Sequence, residues 1–137
     1  MIVESQIDDL DIGWCDLRSV SVSVIKQLVM MKRLEIYGGE LTKDQRVVLF
    51  NSIRQSPQLK HLTLDWSHLV DDPATVANSL SKLESVMLHC APHTLLTKLA
   101  EKIQSGSSNL KELRLRGFVS EEVEKIFQES LKFIQEF

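Results

Sequence analysis

Apolar residues recur along this chain in a spaced pattern that returns five times. In each copy they occupy positions 1, 4 and 6, and a small residue or a cysteine usually stands at position 9. The fourth positions are separated by 24, 28, 24 and 27 residues, and they are Leu10, Leu34, Leu62, Val86 and Leu113. A unit that returns at nearly constant spacing indicates a chain assembled from internal repeats.

Positions 4 and 6 of each copy predict a β-strand. They lie two residues apart, so in an extended strand their side chains point to the same face, and positions 3, 5 and 7 point to the other. The pattern predicts strands near 9–13, 33–37, 61–65, 85–89 and 112–116. A single copy cannot bury its apolar face alone, but copies stacked side by side bury it against one another.

The segments between the predicted strands carry the start signals of helices. Thr42 and Gln45 have the spacing of a capping box, and Asp72 stands as a capping acid before a proline at the first helical position. Ser120 opens an acidic segment whose apolar residues fall on one helical stripe, which predicts a helix over 120–136. We expect this last helix to cap the end of the stacked repeats.

The first connector is ambiguous. Residues 19–24 alternate serine and valine with period two, which is typical of a strand, whereas Ile25, Leu28 and Val29 fit a helix. We expect a short helix there.

Three of the copies, Ile7 to Leu17, Met31 to Leu41 and Leu59 to Leu69, resemble the LxxLxLxxN/CxL pattern of leucine-rich repeats. The long, helix-bearing repeats and Cys15 at the ninth position resemble the ribonuclease-inhibitor-like subfamily. The resemblance covers nearly the whole chain. It implies an α/β fold with one domain over 1–137, a short solenoid of about five repeats with a parallel sheet on its concave side and helices on its convex side.

Two departures from the family pattern affect the predicted curvature. The eleventh position is His93 in the fourth copy and Ser120 in the fifth, instead of leucine. The ninth position of the later copies lacks the asparagine or cysteine that would form a side-chain ladder; it is occupied by Gly39, Ser67, Ala91 and Phe118. Repeat identity is therefore better supported than repeat curvature.

Composition and charge exclude several classes of protein. The net charge is −3, so the chain has no basic excess to pair with phosphates, and we expect no nucleic-acid partner. Two cysteines cannot form a disulfide framework. No apolar run approaches the length of a membrane span, and the acidic first residues do not resemble a signal peptide. We expect a cytoplasmic protein without a membrane partner.

The concave side of the predicted sheet carries the candidate interaction residues. It runs from acidic at the start, with Asp8, Asp9 and Asp11, to basic at the end, and aromatic residues lie along it. Exposed tryptophan and tyrosine commonly anchor protein interfaces. The predicted partner-binding residues are Tyr37, Trp66, Glu35, Asp65, His89, Arg114 and Arg116. In the alternative interpretation Trp14 and Trp66 fold over their strand ends and pack locally, and the mixed charges are those of an ordinary solvated sheet.

Signals for catalysis or metal binding are weak. His89, Cys90 and His93 cluster, with His68 one repeat earlier, and imidazole and thiolate are zinc ligands. However, His89 and Cys90 are adjacent on a strand and should diverge, and no CxxC or HExxH spacing occurs. We expect exposed loop histidines and buried or half-buried structural thiols. Because no glycine-rich phosphate loop is present either, we expect no catalytic residue, no metal and no cofactor.

These observations predict a non-catalytic protein–protein interaction module. The family resemblance implies a ligand-sensing or adaptor role, as in the cytosolic NOD-like and Apaf-related proteins of innate immunity and apoptosis, in which the repeats form part of a larger chain. The alternative from another class is a small parallel α/β enzyme or nucleotide-binding domain. A further alternative is self-association through the terminal repeats, although a monomer is favoured.

Overall fold

The computed structural model describes residues 9–13, 20–37, 41–65 and 68–136. Within these residues six strands alternate with five helices. The strands are β1 (Asp9–Gly13), β2 (Arg33–Tyr37), β3 (His61–Asp65), β4 (Ser85–His89), β5 (Glu112–Arg116) and β6 (Lys132–Glu136). The helices are α1 (Val22–Leu28), α2 (Lys43–Gln55), α3 (Pro73–Leu80), α4 (His93–Gln104) and α5 (Glu121–Ser130).

The strands form one parallel sheet whose spatial order is the order of the chain, β1 to β6. The first five strands coincide with the ranges predicted from the apolar spacing. The fourth position of every repeat is in register with that of the next, and one row therefore runs across the sheet through Leu10, Leu34, Leu62, Val86, Leu113 and Phe133. The fold is α/β, as the sequence predicted.

The core lies between one face of this sheet and the helices. Leu34 and Ile36 of β2 are buried, and the corresponding pairs of β3, β4 and β5 are buried in the same way. They join one apolar cluster with helix residues such as Leu49, Val76 and Leu99. Each helix packs against the next in the chain, so the core continues from repeat to repeat.

Three of the helix starts confirm their sequence signals. The Thr42 hydroxyl accepts a hydrogen bond from the backbone N–H of Gln45, and the Gln45 side chain accepts one from the N–H of Thr42. Asp72 caps α3 ahead of Pro73, and Ser120 caps α5. Each side chain satisfies an N–H that the first turn of a helix cannot pair internally.

The ambiguous first connector forms the short helix α1. It buries Ile25 and Leu28, whereas Val22 and Val24 remain exposed. The helical spacing of the buried residues therefore prevails over the alternation of serine and valine, because only a helix places both buried residues against the core.

The predicted helix over 120–136 is wrong after Ser130, in about the last third of its range. Helix α5 ends at Ser130, and Lys132–Glu136 form the sixth strand beside β5. The edge of β5 offers unpaired backbone groups to any following segment, and β6 binds them: the N–H of Lys132 donates to Lys111 O at 2.9 Å, and the N–H of Gly117 donates to Glu136 O at 3.1 Å. The helical spacing of Leu131 and Ile134 does not show that the edge of β5 is available as a pairing partner for this segment.

None of the described helices is long and apolar enough to cross a membrane.

Candidate interaction surface

The face of the sheet opposite the core presents the alternate strand positions, and we name it the open face. In β2 to β6 its residues are Arg33, Glu35, His61, Thr63, Asp65, Ser85, Met87, His89, Glu112, Arg114, Arg116, Lys132, Ile134 and Glu136. The in-register pairing of the strands, which in β-sheets are about 4.8 Å apart, brings these side chains into rows that cross the sheet.

The rows differ in chemistry. The row at the amino ends of the strands is charged and polar, with Arg33, His61, Ser85, Glu112 and Lys132. The middle row mixes charged and apolar groups, with Glu35, Thr63, Met87, Arg114 and Ile134. The row at the carboxyl ends contains Asp65, His89, Arg116 and Glu136. A partner on this face would therefore meet apolar groups between two polar rows.

The carboxyl end of β3 contains a buried polar pair. The imidazole Nδ1 of His68 lies 3.1 Å from Oδ1 of Asp65, and the His68 side chain is 0% exposed. We expected Asp65 to face solvent and His68 to be an exposed loop histidine, and both expectations are wrong. The carboxylate and the imidazole lie close enough to interact electrostatically, which offsets part of the cost of removing two polar groups from water.

The prediction that this face is basic at its last strand is also wrong in part. Arg114 donates to Oε1 of Glu136 at 3.1 Å, and Lys132 lies 3.3 Å from Glu112. These partners come from β6, which the sequence assigned to a helix. Charges of both signs alternate at this end, and Arg116 extends into solvent.

The structure places the remaining predicted residues as follows. Glu35 is half-buried in the middle row, and His89 is half-buried in the register position between Asp65 and Arg116. The backbone of Tyr37 ends β2, but its side chain lies outside the described part of the structure. Trp14 and Trp66 lie outside the described residues.

The turn after β4 is unusual in its backbone. Cys90 has φ 57°, in the left-handed region, and its N–H donates to Arg116 O at 2.7 Å. Gly117 opposite has φ 126°, a backbone conformation that residues with a Cβ rarely adopt, so this position favours glycine. Cys90 is a free, exposed cysteine, which corrects the expectation of a buried or half-buried thiol.

Sequence reasoning missed three residues of the open face, Lys132, Ile134 and Glu136. The sequence predicts a helix for them, because Phe133 and Ile134 are adjacent and the segment lacks the alternation of apolar and polar residues that indicates a strand. Among the described residues, no three histidine, cysteine, aspartate or glutamate side chains lie close enough together to hold a metal ion.

No protein-family model matches this chain, and no curated protein matches its sequence. The resemblance to leucine-rich repeats therefore rests on the residues of the chain itself.

Proposed function

We propose that this chain is a leucine-rich-repeat solenoid that acts as a non-catalytic protein-interaction module and binds a protein partner on the open face. One observation carries the proposal. The row from Leu10 to Phe133 runs in register through six parallel strands whose order in space is their order in sequence. Repeats that pair with their neighbours in chain order are typical of solenoids, which offer one extended face to partners.

The open face has the composition of a recognition surface. Met87 and Ile134 supply half-buried apolar area in the middle row, on either side of Arg114, and Arg116 supplies an exposed guanidinium in the neighbouring row. Arginine is enriched in protein interfaces, where it combines hydrogen bonding with apolar contact. Because Arg114 is paired with Glu136, the cationic groups do not form a continuous basic field, which favours a protein partner over a nucleic acid.

The size of the face determines how a partner would bind. Six five-residue strands at the usual spacings cover about 24 Å by about 16 Å, or roughly 400 Å². A stable interface buries about 800 Å² on each partner. The partner would therefore contact most of the strands and also the turns at their carboxyl ends, such as the turn at Cys90.

The resemblance to the family extends the proposal to the setting of the protein. Cytoplasmic leucine-rich-repeat proteins of the subfamily that the chain resembles sense ligands or act as adaptors in innate immunity and apoptosis. We propose the same class of role here, with the repeats as the recognition part of a larger assembly.

The test compares variants of the open face with a variant on the helices. The purified chain is immobilised, and retained proteins are identified by mass spectrometry for wild type, the open-face variants Met87→Ser and Arg116→Ala, and the control Lys125→Ala, which changes an exposed residue of α5. Trp66→Ala is measured beside them, because the sequence predicts Trp66 as an interface anchor. We expect the control to retain the same proteins as wild type and the open-face variants to lose them. Thermal unfolding of each variant shows whether the fold is intact. Equal retention by all folded variants would overturn the proposal.

The alternative of a nucleotide-binding or enzymatic domain has its own measurement. A ligand that binds only the folded state raises the unfolding temperature. We expect adenine and guanine nucleotides and Zn²⁺ to leave the melting temperature unchanged. A saturable, concentration-dependent increase with one of them would favour the alternative.

A further inference from the structure

A groove of about 690 Å³ lies between α4 and α5, outside the open face. From α4 it is lined at intervals of three or four residues by His93, Thr97, Ala100, Glu101 and Gln104. One face of α4 therefore borders the groove along the whole helix. The other wall is formed by the first two turns of α5 and by the loop before it.

The floor and one edge of the groove are apolar. Ala100 and Val123 are buried there, and Ile126 is half-buried. Phe118 stands at the edge and is 80% exposed. A solvent-exposed phenylalanine contributes little to the core, but it can bury a large area when a second molecule covers it. The groove thus offers a site for one bulky apolar side chain.

The rim of the groove is acidic. Glu101, Glu121 and Glu122 are exposed on it, and none of the described residues that line the groove is a lysine or an arginine. Lys98 lies 3.4 Å from Glu101, but both side chains are about half-exposed, so solvent screens the pair. The groove therefore presents a net negative charge around an apolar floor.

Helix stability explains only part of this acidity. Glu121 and Glu122 lie in the first turn of α5, where carboxylates favour the helix. Glu101 stands near the carboxyl end of α4, where the helix dipole disfavours a carboxylate. Glu101 thus places a carboxylate in the groove lining at a position that the helix dipole does not favour.

We propose that this groove docks a basic peptide segment of a partner protein, in which lysine or arginine residues flank one bulky apolar side chain. The apolar side chain contacts Phe118, Val123 and Ile126, and the cations approach the three glutamates. Complementary charge selects this peptide and repels nucleic acids and anionic lipid surfaces, which carry the same sign as the rim. The site is separate from the open face and does not depend on the function proposed for it.

The test uses a fluorescent, amphipathic helical peptide made of lysine and leucine, with a second peptide in which every lysine is replaced by glutamate. Fluorescence anisotropy measures binding to the full chain. We expect the lysine peptide to bind, with weaker binding at higher salt, and the glutamate peptide not to bind. Backbone NMR shifts caused by the lysine peptide should map to Thr97, Gln104 and Val123.

Variants separate the groove from general attraction of a cation to an acidic protein. We expect Phe118→Ser to weaken binding about tenfold, as for a central apolar anchor. Glu101→Gln and Glu122→Gln should each weaken it about twofold to threefold, as for charges at a rim. The matched controls are Glu129→Gln, an exposed glutamate of α5 outside the groove lining, and Val70→Ser, an exposed apolar residue on another loop.

Several outcomes would overturn the proposal. These are equal affinity for Phe118→Ser and wild type, equal weakening by Glu129→Gln and Glu101→Gln, or NMR shifts confined to the open face. Glu101→Gln keeps the test valid if Glu122→Gln destabilises the start of α5, because Glu101 belongs to α4 and not to the first turn of α5.

Discussion

Strand β3 in the middle of the sheet and the last strand, β6, have residues at equivalent register positions, but these residues differ in burial. Leu62 and Leu64 of β3 are 1% and 0% exposed, whereas Phe133 and Gln135, at the corresponding positions of β6, are half-buried. The open face shows the same contrast, because Thr63 of β3 is buried and Ile134 of β6 is half-buried.

The difference shows that neighbours determine burial in a stacked fold. Strand β3 has a paired strand on each side and lies over helices that themselves pack on both sides. Strand β6 has one paired strand, β5, and it contacts α5 from one side. A residue in a stack gains most of its burial from adjacent repeats, so a terminal unit contributes less stability than a central one.

The largest effect is expected from Leu62→Ala in the middle of the core row. Removing a fully buried leucine side chain leaves a cavity and should lower the free energy of unfolding by about 2–5 kcal/mol. Urea denaturation followed by circular dichroism measures the change. A loss below about 1 kcal/mol would mean that the central repeat is as loosely packed as the terminal one.

The next effect is expected at the buried pair beside β3. His68→Ala should lower the free energy of unfolding by about 1–3 kcal/mol, because it opens an enclosed space and removes the imidazole beside Asp65. The control is His93→Ala, which changes an exposed histidine and should stay within about 0.5 kcal/mol of wild type. Equal effects of the two substitutions in the same denaturation experiment would show that burial at β3 has no energetic role.

A smaller effect is expected from Phe133→Ala in β6. Its ring lies 5.4 Å from that of Phe127, but it is only half-buried, so the loss should be about 1 kcal/mol, roughly half the value of a fully buried aromatic. The comparison with Leu62→Ala in the same row measures the difference between the two regions directly. If both substitutions cost the same, the two regions would not differ in stability.

The smallest effect is expected from Arg114→Ala, which removes the ion pair to Glu136 of β6. Both side chains are 38% exposed, so the pair should contribute less than about 1 kcal/mol. Hydrogen exchange should report faster opening of β6 with little change in β3. Faster exchange in both strands would contradict the inference that β6 opens independently of β3.

Local pattern was sufficient to predict the first five strands and most of the helix starts. The apolar pairs such as Leu62 and Leu64 repeat at the period of a strand, and Thr42, Asp72 and Ser120 have the short side chains that cap helices. These signals act between residues two to four positions apart. They therefore do not depend on the part of the fold that surrounds the segment.

The candidate surface was harder to predict. Glu35 and Arg116 have the expected strand positions, but Asp65 is buried because His68 returns over it after the strand ends. Cys90 is exposed because its turn adopts a left-handed conformation beside Gly117. Both outcomes depend on a contact made after the chain turns, which the spacing of apolar residues does not encode.

The sequence by itself determined where the first five strands and three of the helices begin, and which positions of the five copies are equivalent. Tertiary structure decided that residues 132–136 extend the sheet instead of the helix. It also decided which polar side chains become buried. The physical reason is that periodicity and capping act between residues a few positions apart, whereas backbone pairing at a sheet edge and burial of a polar pair require a partner elsewhere in the fold.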